Sequence, residues 1–138
     1  MKKLDNFSKC LEVLKNADFD FASDNEIYRT GVIGQFNLTF ELGWKALQEI
    51  LKLHGAEGAQ TGSPREILQL GYKMGFLNDS SVWLIMLKKR NTSVHIYNED
   101  EADEMLLLVR DSFIQAFKDL ENVLQEKLKE VDENWDDK

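Results

Sequence analysis

The C-terminal part of the chain carries an apolar pattern that constrains the fold more than any other feature of the sequence. Large apolar residues recur there at steps of three or four, at Leu106, Val109, Phe113, Phe117, Leu120, Leu124, Leu128 and Val131. This spacing places all of them on one face of an α-helix. The pattern predicts an amphipathic helix longer than about 45 Å, at 1.5 Å per residue.

The first half of the chain shows the same helical spacing. One stripe predicts an N-terminal helix and consists of Leu4, Phe7, Leu11, Leu14, Ala17 and Phe21. A second helix should begin with Asp24 as its cap, run to about Leu53 and stop at Gly55. It carries two apolar stripes, one through Phe36, Phe40, Trp44, Leu47 and Leu51 and another through Ile27, Leu38, Leu42 and Ile50. A helix that is apolar over so wide an arc should lie centrally in a bundle.

Two further helices have clear start signals. Ser63, Pro64 and Glu66 form a capping box with proline at the first helical position, and this short helix should end near Gly75. Another helix should begin in the polar cluster 78–81 and continue to about Tyr97. The predicted fold is all-α, an up-and-down bundle of four long helices plus one short helix. We expect a single domain over residues 1–138, with 132–138 as a frayed acidic tail.

The distribution of charge is more informative than its sum. The net charge of -8 argues against a protein that binds nucleic-acid backbones generally. Residues 1–97, however, hold 12 basic and 11 acidic residues, whereas 98–138 hold 5 and 14, a net charge of -9. The simplest interpretation of this excess is the solvated side of the last helix. The single Cys10 and the absence of a long apolar run predict a soluble cytoplasmic protein without disulfides.

One segment, 88–97, concentrates residues that could handle phosphate. It reads Lys88-Lys89-Arg90-Asn91-Thr92-Ser93-Val94-His95-Ile96-Tyr97. His95 could exchange a proton near neutral pH and Arg90 could neutralise an oxyanion, which suits metal-free cleavage of RNA by its own 2′-hydroxyl. The other interpretation is a solvated, basic helix end whose histidine caps carbonyls. Because His54 and His95 are the only imidazoles, we predict no metal site and no cofactor.

The helical positions of these residues raise the question of a second chain. At about 100° per residue, Arg90 and His95 point about 140° apart on one regular helix. Either the weak helix formers after Arg90 mark a distortion, or two copies meet across a two-fold axis and complete each other's site. The second arrangement is favoured, since one histidine per chain supplies a base but no separate acid.

These residues carry a resemblance to a known family. Segment 90–97 resembles the R-x4-H-x-Y signature of HEPN-domain proteins, specifically of the HepT-like group, also called nucleotidyltransferase substrate-binding proteins. Segment 35–45 resembles that group's Q-F-E-x-T-F-E-L-x-W-K sequence, 63–65 its S-P-R turn and 83–87 its W-L-x-M-L run. The similarity covers about residues 30 to 100 in order and spacing.

The resemblance implies a homodimeric HEPN fold and a companion, a minimal nucleotidyltransferase. It implies either of two functions. In the first, the chain is the toxin of a toxin-antitoxin pair, a ribonuclease that uses Arg90 and His95 and is silenced when the partner adenylylates Tyr97. In the second, it is a non-catalytic subunit that binds substrate for the transferase or scaffolds it. Asp18 and Asp20 follow no Gly-Ser turn, so the chain itself is not expected to be a nucleotidyltransferase.

Supporting roles are expected for residues around the motif. Lys88 and Lys89 stand where the family commonly has acidic residues, which makes this site more attractive to phosphate, and Asn91 lies beside Arg90. Asn37 also stands where the family often has an acid. Glu41 is expected either to pair with Lys45 at i,i+4 or, as the family match implies, to orient Arg90 or face a ligand.

Overall fold

The computed structural model describes residues 1–93 and 98–136, with side chains through 131. Within these residues the chain is helical and contains no β-strand. Its helices are α1 (Lys2–Lys15), α2 (Phe19–Asp24), α3 (Glu26–Leu53), α4 (Pro64–Lys73), α5 (Ser80–Thr92), α6 (Glu99–Leu108) and α7 (Ile114–Asp136), with a π-helical turn at Val109–Phe113 between the last two. The predicted all-α bundle is therefore confirmed.

The N-terminal stripe ends earlier than predicted. α1 stops at Lys15, and Asp18 starts a separate helix by accepting a hydrogen bond from the amide of Phe21 at 2.9 Å. The stripe from Leu4 to Leu14 is buried, but the side chain of Phe21 is 48% exposed. The prediction that Phe21 lies on that stripe was wrong, because Asp18 starts a separate helix and the spacing of α1 does not continue into it.

α3 is the central helix, as predicted, and its cap lies one residue after the expected one. Asn25 accepts a hydrogen bond from the amide of Tyr28 at 2.9 Å, and Gly55 ends the helical path with a φ of 71°. The first predicted stripe of α3 is buried in full. The second is buried at Ile50 but exposed at Ile27 (87%) and Leu38 (47%). The prediction fails for these two residues because the described helices pack against the other faces of α3.

The glycines of α3 lie in two different environments. At Gly43, a Cβ would lie 3.0 Å from the ring of Phe7, so glycine permits the close approach of α1. At Gly31 and Gly34, no heavy atom of the described residues lies within 4 Å of such a Cβ, apart from the helix backbone and chain neighbours. A glycine inside a helix costs about 1 kcal/mol relative to alanine. Packing within the described chain thus gives no reason for Gly31 and Gly34.

α4 begins with the predicted capping box. The amide of Glu66 donates to Ser63 Oγ at 3.3 Å, and the Ser63 amide donates back to Glu66 Oε1 at 3.4 Å. Pro64 occupies the first turn, and Gly75 follows the helix with a φ of 81°. Both ends of the predicted short helix are confirmed.

Loss of this cap should have a measurable cost. We expect Ser63→Ala to lower the free energy of unfolding by about 1 kcal/mol, because the first turn of α4 loses its side-chain acceptor. Urea unfolding followed by circular dichroism measures the change. Thr61→Ala, on the exposed loop just before the cap, is the matched control and should change stability by no more than a few tenths of a kcal/mol. Equal effects of the two substitutions would contradict the role given to the cap.

The C-terminal stripe forms one long rod. α6, the π-helical turn and α7 follow without a break from Glu99 to Asp136, and the stripe is buried from Leu106 to Leu124. Asn98 caps the rod by accepting from the amide of Glu101 at 2.8 Å. Three consecutive exposed acids follow this cap, where a helix N-terminus favours negative charge.

The core is built from aromatic rings on α1, α3, α5 and the long rod. Phe36 stacks on Phe113 at a centroid distance of 5.1 Å, and Phe117 lies edge-on to Phe7 at 6.0 Å and to Trp83 at 5.6 Å. In the described part of the chain, no helix is both long and apolar enough to cross a membrane.

Candidate functional site

The end of α5 lies against the middle of α3 through Arg90. Its Nη2 donates to Glu41 Oε2 at 2.7 Å, and its Nη1 donates to Asn91 Oδ1 at 3.0 Å. The Arg90 side chain is 32% exposed and that of Glu41 28%. The guanidinium is therefore held in place at the rim of the bundle while part of it stays accessible to solvent.

Glu41 is itself held by two neighbours on α3. The indole Nε1 of Trp44 donates to Oε2 at 3.2 Å, and Lys45 Nζ lies 3.3 Å from Oε1. Burial raises the pKa of the Glu41 carboxyl, but the indole hydrogen bond, Arg90 and Lys45 together outweigh it, so the pKa lies below its ordinary value. Both roles expected for Glu41 occur together, the i,i+4 pair with Lys45 and the orientation of Arg90.

The backbone of Arg90 is tied to α3 as well. Asn37 Nδ2 donates to Ser93 Oγ at 2.9 Å, and Ser93 Oγ donates to the carbonyl oxygen of Arg90 at 3.0 Å. This relay fixes the last turn of α5 through side chains of both helices. Arg90 is thus fixed at its backbone and at its guanidinium by the same face of α3.

Lys88 and Lys89, the two basic residues before Arg90, have different surroundings. Lys88 is exposed, and its carbonyl accepts a hydrogen bond from Thr92 Oγ1 at 3.0 Å. Lys89 Nζ lies 3.7 Å from Glu104 Oε1 of α6. Glu41 and Glu104 therefore offset two of the three adjacent cations, and Lys88 contributes its charge to solvent.

Two predicted residues of the site, the proton-transfer histidine and the modified tyrosine, belong to a segment that the structure does not describe. His95 and Tyr97 lie outside the described residues, as does the predicted end of the fourth helix at Tyr97. The residues that flank them, Ser93 and Asn98, border one cavity of about 440 Å³ beside the first half of α3. Among the described residues this cavity is lined by Glu26, Arg29, Thr30, Ile33, Gly34, Asn37, Ser93, Asn98, Glu99 and Ala102.

One lining residue of this cavity is a buried cation. Arg29 donates to the carbonyl oxygen of Ser23 at 3.2 Å, and its Nη1 lies 3.8 Å from Asp103 Oδ1. The first contact joins the start of α3 to α2, and the second joins it to α6. Among the side chains of residues 1–93 and 98–131, no cluster of three or more His, Cys, Asp or Glu residues is arranged to hold a metal ion.

The Glu41 contacts predict a dependence of stability on pH. A carboxyl whose folded-state pKa is lowered stabilises the fold above its unfolded-state pKa, and this contribution is lost as the pH falls through the folded-state value. The difference in unfolding free energy between the wild type and Glu41→Gln should thus be largest near neutral pH and shrink below about pH 4.3. Urea titrations across this range measure it. A difference that stays constant with pH would contradict the ion pair.

Sequence reasoning found the main partners of Arg90 but missed two supporting residues. Trp44 was predicted to be a core residue, and it is buried, yet its indole N–H also holds Glu41. The link from Asn37 through Ser93 was not predicted, although Asn37 and Glu41 share one helical stripe. The i,i+3 and i,i+4 spacing of Asn37, Glu41 and Trp44 places them on one side of α3, but it does not indicate that this side contacts α5.

The fold and sequence are similar to those of known proteins. A family model described as nucleotidyltransferase substrate binding protein like matches residues 2–126, which include α1 to α6, the site on α3 and α5, and part of α7. A crystal structure of a protein from Thermus thermophilus superposes with a TM-score of 0.62 at 26% identity, covering 91% of this chain and 98% of that one. No curated protein matches significantly. Because the family match spans most of the sequence, the chain belongs to the nucleotidyltransferase substrate binding protein-like family.

Proposed function

We propose that this protein is a HepT-like ribonuclease, the toxin of a toxin-antitoxin pair. Its antitoxin is a minimal nucleotidyltransferase that adenylylates Tyr97. The observation that carries the proposal is the Arg90 guanidinium, fixed by Glu41 at 2.7 Å and directed to the rim of the bundle within a family of nucleotidyltransferase-associated proteins.

The proposed reaction needs no group beyond the RNA and the protein. The 2′-oxygen of one nucleotide attacks the adjacent phosphorus, the bond from phosphorus to the 5′-oxygen breaks, and a 2′,3′-cyclic phosphate and a 5′-hydroxyl result. His95 exchanges the protons, because its unperturbed pKa lies near neutrality. Arg90 neutralises the charge that develops on the phosphoryl oxygens.

The contacts of Arg90 suit this role. A guanidinium has five N–H donors, and its contacts with Glu41 and Asn91 use two of them among the described residues. In the proposed reaction the remaining donors contact a phosphate. Because Glu41 fixes the group in advance, less side-chain freedom is lost when RNA binds.

The proposed function includes a homodimer. One histidine per chain supplies one proton-transfer group, and cleavage requires a proton to be removed at one oxygen and delivered at another. Two copies of the motif facing one cleft supply both groups.

Modification of Tyr97 would silence such a site by charge and by bulk. Each attached nucleotide carries a phosphate, which repels the RNA backbone and competes for Arg90 and for the exposed Lys88. The modified tyrosine is only seven residues from Arg90 in sequence.

The second candidate is the non-catalytic subunit that presents substrate to the transferase or scaffolds it. The three exposed acids at the start of α6, within a C-terminal part of net charge -9, favour it as a docking surface for a basic patch on the partner. In this case the pairing of Arg90 with Glu41 serves the fold alone.

Expression of the chain by itself separates the two candidates. A toxin arrests growth, co-expression of the transferase restores growth, and His95→Ala abolishes the arrest with helicity retained. His54→Gln is the matched control, since His54 contacts the carbonyl of Lys127 at the opposite end of α3. Growth that is unaffected by the wild-type chain favours the binding subunit, and arrest that survives His95→Ala defeats the proposed site.

A further inference from the structure

The cavity beside the first half of α3 has a mixed lining. Its volume of about 440 Å³ lies in the usual range for ligand pockets, about 300–1,000 Å³. Ile33, Gly34 and Ala102 form its apolar part, and a Cβ placed on Gly34 would meet no heavy atom of the described residues within 4 Å, apart from the helix backbone and chain neighbours. Polar and charged side chains make up the rest. This lining suits a flat ligand with apolar faces and polar edges.

Arg29 is the buried charge of this lining. Its side chain is only 8% exposed, yet among the described residues its guanidinium makes one hydrogen bond, to the carbonyl oxygen of Ser23. The carboxylate of Asp103 lies 3.8 Å from Nη1, which is beyond hydrogen-bond distance. A guanidinium has five N–H donors, and burying donors without acceptors costs free energy. A ligand that brings acceptor atoms to Arg29 would reduce this cost.

The other charges of the lining are negative. Glu26 is the first residue of α3 and Glu99 the first residue of α6, and both border the cavity. One arginine against two glutamates leaves the lining with a net negative charge, and Asp103 adds to it beside Arg29. The cavity therefore disfavours a phosphate and favours a neutral group that donates hydrogen bonds to carboxylates.

The basic end of α5 adjoins this cavity. Ser93 lines it, and Ser93 Oγ donates to the carbonyl oxygen of Arg90, three residues earlier. At 1.5 Å per residue, Arg90 and Ser93 are about 4.5 Å apart along the helix axis. An RNA phosphate at Arg90 would thus have the cavity within reach of its ribose and base. The positive rim suits the phosphate, and the negative cavity suits the neutral nucleoside.

Guanine is the base whose polar groups match this lining. Its N1–H and N2–H are neighbouring donors, which fit the two oxygens of one carboxylate, and its O6 and N7 are neighbouring acceptors, which fit the donors of an arginine. Adenine and cytosine each present an amino group beside a ring acceptor, and uracil presents a single N–H between two carbonyls. None of these three bases offers paired donors to a carboxylate.

We propose that the cavity binds a guanosine of the RNA, with its base at Arg29 and the two glutamates and its phosphate at Arg90. The inference rests on the proposed ribonuclease and gives it a base preference, because the bond that is cleaved lies beside a guanosine. The bases of single-stranded RNA can leave their stack and enter such a cavity.

Binding of a free nucleotide tests the cavity without any cleavage. Guanosine 3′,5′-bisphosphate should bind the purified chain about tenfold or more tightly than adenosine 3′,5′-bisphosphate by titration calorimetry, because adenine lacks the paired donors. Glu26→Gln with Glu99→Gln should abolish this preference, since each amide keeps the shape of the side chain but has one acceptor oxygen. Asp100→Asn with Glu101→Gln removes two neighbouring exposed charges outside the described lining. This matched control should keep the preference.

The positions of cleavage test the same inference on RNA. The wild type should cut a single-stranded RNA of mixed sequence about tenfold or more faster at bonds beside guanosine than at other bonds. The variant with both glutamines should lose this preference while circular dichroism shows unchanged helicity. Cleavage by the wild type that is indifferent to the base, or equal binding of the two bisphosphates, would overturn the proposal.

These outcomes are separate from those of the ribonuclease test. A chain that binds the guanosine bisphosphate selectively but cleaves no RNA defeats the proposed function and leaves the guanosine site standing. A chain that cleaves RNA without base preference keeps the proposed function and loses the guanosine site. Selectivity that persists when both glutamates are replaced puts guanosine recognition outside this cavity and also overturns the proposal.

Discussion

Phe36→Ala should lower the free energy of unfolding by about 3–5 kcal/mol, the usual cost of deleting a buried aromatic ring. Phe36 is fully buried at the centre of α3 and has three aromatic neighbours: Phe40 at 6.3 Å, Phe113 at 5.1 Å and Phe117 at 6.0 Å between ring centroids. No single helix can shift to close the resulting cavity, because these rings come from α3 and from two segments of the C-terminal rod.

Urea unfolding at neutral pH measures this loss. Phe21→Ala, at a ring that is half exposed on α2, is the matched control and should cost far less. If Phe36→Ala does not fold, Phe36→Leu retains most of the apolar volume and should still be measurably less stable than the wild type. A loss for Phe36→Ala no larger than that for Phe21→Ala would contradict the position of Phe36 at the core.

Arg90→Gln should slow RNA cleavage by about 10²–10³-fold, the typical effect of removing one preorganised donor from a transition-state site. The substitution also leaves Glu41 without its 2.7 Å partner, although Trp44 and Lys45 still hold the carboxylate. The fold should persist. Arg90→Lys should restore little activity, because an ammonium cannot contact Glu41 and a phosphate with the planar geometry of a guanidinium.

Initial rates on a defined RNA, with unfolding curves for each variant, measure this effect. Arg65→Gln, which removes an exposed cation from the first turn of α4, is the matched control and should cleave at the wild-type rate. Equal rates for Arg90→Gln and Arg65→Gln would show that Arg90 serves the fold and not the reaction.

The helices could be predicted from the sequence wherever a local pattern of residues specifies them. The Ser63 capping box and the steps from Leu106 to Leu124 specify their helices through neighbouring residues alone, and both predictions are confirmed. The exposure of Ile27 and Leu38 could not be predicted in this way. Periodicity shows that two apolar residues share a side of a helix, but not whether that side faces its own chain.

The candidate site was predictable in part. Arg90 and Glu41 were both identified, and the structure brings them together across 49 positions of sequence. The relay from Asn37 through Ser93 was missed because it depends on the packing of α5 against α3, which spacing within one helix does not encode. The π-helical turn at Val109–Phe113 was also not predicted, since the apolar steps continue through it unchanged.

Cleavage of a defined RNA by the purified, unmodified protein in the presence of a metal chelator tests the proposed activity most directly. We expect products that end in a 2′,3′-cyclic phosphate and a 5′-hydroxyl, no cleavage by His95→Ala, and loss of cleavage when Tyr97 is adenylylated. Cleavage by His95→Ala at the wild-type rate, or no cleavage by any form of the wild-type protein, would contradict a ribonuclease centred on Arg90 and His95.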